Sequence, residues 1–135
     1  MSVQQILPHL VLVEDNADIA VLLRTAAERE GWRVDWFGDG QDFAERVNGF
    51  LFADLVLLDI ELPGLNGVGV AEKLAAQRYT GTLVVMTGGP LQIAHQAARI
   101  ADEAGIPVSG CWQKPIVTRR FLSTLSNLAD CSVQM

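Results

Sequence analysis

Four short apolar runs, far apart in the chain, each stop at a polar residue, and this arrangement restricts the fold more than any other feature. His9-Leu10-Val11-Leu12-Val13 stops at Glu14-Asp15, Asp54-Leu55-Val56-Leu57-Leu58 at Asp59, Leu83-Val84-Val85-Met86 at Thr87, and Cys111-Trp112-Gln113 at Lys114. A continuous apolar run of this length suits a strand covered on both faces, as in a parallel sheet flanked by helices. In an open parallel sheet the carboxyl ends of the strands share one edge, and ligands bind in the crevice outside it. Carboxylates, a hydroxyl and an ammonium would then converge. Such a set can hold a divalent cation and a phosphoryl group, with one carboxylate as nucleophile.

Helical patterns fill the spaces between the runs. Asn16 is a candidate N-cap, and Ile19, Leu22, Leu23, Ala26 and Ala27 follow the spacing of one helix face up to Gly31. Trp32–Phe37 reads as a further strand, with Trp32, Val34 and Trp36 on one side and Arg33 and Asp35 on the other. A helix over Asp42–Val47 turns Phe43 and Val47 inward, and Pro63-Gly64-Leu65-Asn66-Gly67 reads as a loop before a helix over Val70–Gln77. After Thr87-Gly88-Gly89-Pro90 comes an alanine-rich helix with Ile93, Ala97, Ala101 and Ala104 in register, closed by Gly105 and Pro107. A strand over Val108–Gln113 and a helix from Thr118, burying Phe121, Leu122, Leu125 and Leu128, complete five strand-helix units. Strict alternation predicts an α/β fold: a doubly wound five-stranded parallel sheet with helices on both faces and right-handed crossovers.

The 135 residues fit one domain, expected over 8–130, with no separate output domain, and the five residues after Asp130 read as a chain end. Ten basic against sixteen acidic residues, a net charge of −6, argue against a broad nucleic-acid-binding face. Cys111 and Cys131 lack metal-ligand spacing and suggest no disulfide framework, so a reducing cytoplasm is the expected location. No segment has the length of a membrane span. Taken singly, Asp59 reads equally as a turn residue, Glu14-Asp15 as a helix-capping acidic pair, and Lys114 as a solvated cation. His9 and His95 read as structural or surface residues, and Cys111 as a small apolar residue.

Together, Val11-Leu12-Val13-Glu14-Asp15-Asn16, Leu57-Leu58-Asp59 with Leu62-Pro63-Gly64 and Asn66-Gly67, Met86-Thr87-Gly88, and Gln113-Lys114-Pro115 resemble the receiver domain of bacterial two-component response regulators, the CheY-like family. The likeness runs from about Leu10 to Leu128. It implies a flavodoxin-like fold and a signalling role rather than that of an enzyme turning over a free substrate. Asp59 is then the acceptor of a phosphoryl group from a histidine kinase or phosphotransfer protein. Mg²⁺ would be held by Glu14, Asp15, Asp59 and the backbone carbonyl of Glu61, Asp15 directly and Glu14 mainly through water. Thr87 would hydrogen-bond a phosphoryl oxygen, and Lys114 would pair with Asp59 and later with the phosphoryl group. A downstream effector protein is the implied output partner and a homodimer a further option, with neither nucleic acid nor membrane as partner. Pro115 after Lys114 is expected to follow a cis peptide.

Three departures from that family pattern stand out. Glu61, two residues beyond Asp59, replaces a side chain that is neutral in many relatives; its carboxylate could repel the phosphoryl group, orient a hydrolytic water or face solvent. Cys111 stands where the family usually has an aromatic residue, whereas Trp112 has the strand parity of a core residue. The segment between Thr87 and Lys114 is longer than usual by about one helical turn, and its end, Gly105 to Pro115, is similar to receivers fused to EAL-type phosphodiesterases. Two other functions compete. Asp59-Ile60-Glu61 faintly resembles the Asp-x-Asp nucleophile motif of haloacid-dehalogenase-like phosphatases, and the chain could also be an interaction module independent of phosphorylation.

Overall fold

The computed structural model describes residues 7–133, with the side chains of 131–133, and hence the Cys131 thiol, outside the described part. The strands are β1 (His9–Val13), β2 (Arg33–Phe37), β3 (Leu55–Asp59), β4 (Thr82–Thr87) and β5 (Val108–Gln113). They alternate with helices α1 (Ala17–Arg29), α2 (Gly40–Arg46), α3 (Gly67–Ala76), α4 (Leu91–Glu103) and α5 (Thr118–Val133). All pairings are parallel, and the spatial order is β2-β1-β3-β4-β5. The order reverses between β1 and β3, which opens a crevice at their carboxyl ends.

Every residue of β1 and of β3 is buried, as their unbroken apolar runs require. Alternate side chains feed two cores. Leu10, Leu12, Leu55, Leu57, Val84 and Met86 meet Ala20, Leu23 and Ala27 of α1 and Phe121 and Leu125 of α5. Val11, Val13, Val56, Leu58, Leu83 and Val85 meet Phe43 of α2, Leu74 of α3 and the alanines of α4. Trp112 lies in the first of these cores, as its parity implies, and Cys111 packs against the second.

Several element details differ from the sequence reading. In α1 the inward stripe is Ala20, Leu23 and Ala27, while Leu22 is 64% exposed. In α4 it is Ala94, Ala97 and Ala101, while Ile93 is 46% exposed. Helix α4 meets the sheet through alanines alone and α1 through two alanines and Leu23, while Leu22 and Ile93 flank those contacts. Trp36 is also exposed, because β2 is an edge strand, and its indole N–H donates to the Glu14 carbonyl at 2.7 Å. Helix α2 starts at Gly40, capped by Asp39, and passes into a 3₁₀ turn over Val47–Phe50. Helix α5 continues past Asp130 to Val133.

Helix α3 begins three residues earlier than the turn chemistry implies. Asn66 caps it, its side chain accepting from the Gly69 N–H at 3.0 Å. Gly67 opens the helix by lying directly on the strand end: a Cβ there would fall 2.5 Å from Ile60 Cα and 2.9 Å from the Asp59 carbonyl oxygen. Both obstacles are backbone, so neither can rotate away. Gly67→Ala is therefore expected to destabilise the fold by about 1–3 kcal/mol, the usual cost of overpacking. The denaturant midpoint should fall with an unchanged slope; an unchanged midpoint would show that the loop after Asp59 is free to move aside.

Candidate functional site

The crevice at the β1/β3 reversal is where the polar strand ends meet. Glu14 follows β1 and is fully buried; Asp59 ends β3 and Thr87 ends β4, each 1% exposed. Lys114 follows β5 and reaches back across β4, its backbone N–H donating to the Thr87 carbonyl at 2.7 Å. The Lys114–Pro115 peptide is cis. The ammonium donates to Asp59 Oδ2 at 2.9 Å and lies 2.8 Å from Glu14 Oε1. One cation thus bridges two buried carboxylates from neighbouring strands.

The remaining oxygens are less well served. Asp59 Oδ1 accepts from the Glu61 backbone N–H at 3.0 Å, and Glu14 Oε2 from the Asn16 N–H at 3.0 Å. Glu14 Oε1 has the charge contact with Lys114 but no well-directed hydrogen bond. Asp15, exposed beside it, completes a group in which Glu14, Asp15 and Asp59 each offer a carboxylate oxygen within 4.8 Å of the others. An all-oxygen set with a buried acceptor still lacking a directed donor suits a hard cation such as Mg²⁺.

Burial pushes the Glu14 carboxyl up from 4.5 to about 7. The Lys114 ammonium and the Asn16 N–H pull it down, and the Asp59 charge pushes it further up. For Lys114 burial acts to lower the pKa, but the bonds to Glu14 and Asp59 outweigh it and hold the ammonium above its ordinary value. Burial raises the Cys111 thiol, which keeps it neutral.

Glu61 gives the least foreseen geometry. The residue is exposed, yet its carboxylate is held on the neighbouring loop rather than on Asp59. Oε1 accepts from the Gly88 N–H at 2.5 Å and lies 3.3 Å from Thr87 Oγ1. The sequence placed Glu61 in the loop after Asp59, but its partner lies on the β4–α4 loop, and only the strand register brings the two loops together. Trp36 shares a strand side with Trp32 and Val34 by periodicity, which gives no sign of its bond to the Glu14 carbonyl. The local signal was available: β1 and β2 run in register to Val13 and Phe37, so Trp36 stands at the strand end nearest Glu14.

The two histidines separate. His95 is exposed on α4. His9 is buried at the opposite end of the sheet, its Nε2 2.6 Å from Asp35 Oδ2 and its Nδ1 3.0 Å from Arg33 Nη2. Arg33 has only donors, so Nδ1 accepts and Nε2–H donates to Asp35. His9 is thereby a structural clasp between β1 and β2.

Comparison with known proteins agrees with this geometry. Residues 10–125 match the response regulator receiver domain family. The chain is 39% identical over 85 residues to the transcriptional activator protein PfeR of Pseudomonas aeruginosa, covering 63% of this chain and 28% of that one. It is 28% identical over 93 residues to the transcriptional regulatory protein FixJ of Bradyrhizobium diazoefficiens, covering 68% and 45%. The chain thus spans less than half the length of these curated relatives. In fold it is similar to the signal receiver domain of an HD domain-containing protein from Pseudomonas fluorescens, with a TM-score of 0.79, 18% identity, and coverage of 96% and 99%.

The raised Glu14 pKa sets a pH dependence for the metal-free protein. Between 4.5 and about 7 the folded state holds a proton on Glu14 that the unfolded chain has largely lost. Folding stability from this group is therefore full below 4.5 and is lost as pH rises through about 7. In EDTA, Glu14→Gln should flatten this part of the melting-temperature profile and gain on the parent protein from pH 5 to pH 8. Parallel profiles for the two proteins would show that Glu14 titrates alike folded and unfolded.

Proposed function

The chain belongs to the response regulator receiver domain family, and on that premise we propose that Asp59 is its phosphoacceptor. The observation that carries this reading is the placement of a buried Asp59 between the Lys114 ammonium and the oxygen donors Glu14 and Asp15. A carboxylate cannot receive an anionic phosphoryl group unless cations offset the repulsion, and here positioning and electrostatic stabilisation are the main catalytic means.

In the proposed transfer, an Asp59 carboxylate oxygen attacks the phosphorus of a phosphohistidine on a kinase or phosphotransfer protein. The O–P bond forms as the N–P bond breaks, and the imidazole leaves with the electron pair. Lys114, already on Oδ2, shifts with the charge toward the phosphoryl oxygens. Thr87, at the end of the adjacent strand, offers its hydroxyl to one of them. Glu14, Asp15, Asp59 and the Glu61 carbonyl would hold Mg²⁺, which when bound supplies further positive charge at the phosphoryl oxygens. The receiver unit over 8–130 then passes the signal to an effector protein in the cytoplasm through the β4–α4 loop and α4.

The phosphatase alternative is not favoured. A second carboxylate acting as acid would have to stand over Asp59, whereas that of Glu61 is engaged by Gly88 and Thr87. A phosphorylation-independent module would not need a cation-bridged pair of buried carboxylates, whose desolvation is costly.

Incubation with acetyl phosphate and Mg²⁺ should add one labile phosphoryl group, seen as a mass increase. Asp59→Asn and excess EDTA should each abolish it; labelling undiminished in either would refute the assignment. Mg²⁺ alone should also raise the melting temperature, because a ligand that binds only the folded state stabilises it. A melting temperature independent of Mg²⁺ up to high millimolar concentration would exclude the cation site.

A further inference from the structure

Thr87 and Gly88 together form a donor pair that already holds an anion. The Thr87 hydroxyl accepts from the Gly89 N–H at 3.0 Å, which leaves its one proton to be donated elsewhere. The acceptor in reach is Glu61 Oε1 at 3.3 Å, and the Gly88 N–H donates to that same oxygen at 2.5 Å. A Cβ on Gly88 would lie 3.3 Å from Glu61 Oε1, slightly tight, and one on Gly89 3.5 Å from Oε2, at ordinary contact, so the carboxylate lies close against this turn. Glu61 is meanwhile tied to the nucleophile by its own backbone, its N–H donating to Asp59 Oδ1.

We propose that the Glu61 carboxylate is an internal competitor for the phosphoryl group, seated on the Thr87 hydroxyl and the Gly88 amide until Asp59 is modified. The inference rests on reading Asp59 as the phosphoacceptor. A phosphoryl oxygen that is to take the Thr87 proton must displace a carboxylate oxygen already there, because two anions cannot share so small a donor pair. Glu61 lies at the surface, so the displaced carboxylate moves into water at little cost. Its departure frees one side of the Gly88-Gly89 turn; the other remains held by the Gln113 side-chain amide, which donates to the Gly89 carbonyl at 3.1 Å. Eviction of Glu61 is thus the step that converts modification of Asp59 into release of the loop leading to α4. It also sets the sign that the sequence left open: the carboxylate opposes formation of the modified state.

Beryllofluoride, formed from beryllium and excess fluoride in the presence of Mg²⁺, is the probe, since it stands in for a phosphoryl group on an aspartate. It would be titrated into the parent protein, Glu61→Gln, Glu61→Ala and Asp59→Asn, with the Gly88 amide followed by proton–nitrogen NMR. In the free proteins, Glu61→Ala should move the Gly88 amide proton upfield, as a charge-assisted hydrogen bond is lost. Apparent affinity for the probe should rise roughly tenfold in Glu61→Ala, about the weight of one hydrogen bond to a charged group. Glu61→Gln, which keeps an acceptor but no charge, should fall between. An unmoved Gly88 resonance, or equal affinities with Asp59→Asn blank, would overturn the inference while leaving Asp59 as the acceptor. Uptake undiminished in Asp59→Asn, or no uptake by any of the proteins, would overturn the phosphoacceptor reading and this inference with it.

Discussion

One ammonium group holds the functional edge together. Glu14 and Asp59 end adjacent strands, and parallel pairing forces their carboxylates toward one another in a place with little water. Without Lys114 the two charges would be both desolvated and mutually repelled, and Glu14, already raised to about 7 with the ammonium in place, would hold its proton more firmly still. With it, Asp59 keeps a partner on one oxygen and a backbone donor on the other. The partial mismatch left at Glu14, a buried oxygen without a directed donor, marks where the fold has given up stability for a charged site. A hard cation is the natural complement to that deficit.

The position of Lys114 depends in turn on the sheet. Its backbone is pinned to the end of β4 through the Thr87 carbonyl, and Trp112 anchors the same strand end in the core shared by α1 and α5. The site is therefore set by register rather than by loop conformation. The loops carry the adjustable parts: Glu61 on one, Gly88 and Gly89 on the other. Rigid charges thus stand at strand ends, and the donors on the loops are the parts free to adjust.

Much of this was legible in the sequence, for a physical reason. An apolar run that stops at a polar residue reports burial and strand end together, so Glu14, Asp59, Thr87 and Lys114 fall on one edge by sequence alone. Helix faces were less legible. In α4 the contact with the sheet is made by alanines and in α1 by two alanines with Leu23, so a rule that seeks the largest apolar residues also selects Leu22 and Ile93, which flank it. The start of α3 was missed because Gly67 looks like a turn residue, whereas its smallness serves close contact with Ile60. Contacts between separate loops, such as Glu61 with Gly88, leave no local pattern, and His9 gave no hint that Arg33 and Asp35 would flank its ring.

The division of the core has a mechanical consequence. The sheet is a bulkhead: α1 and α5 pack on one side, α2, α3 and α4 on the other, and the two apolar clusters share no side chain. A shift of α4 therefore reaches the α1 and α5 side only through the strands themselves, as at β5, where Cys111 faces one cluster and Trp112 the other. Each side thus packs its helices on an apolar layer of its own. What the two sides hold in common is the short row of polar residues along the top of the partition, Glu14, Asp59, Thr87 and Lys114.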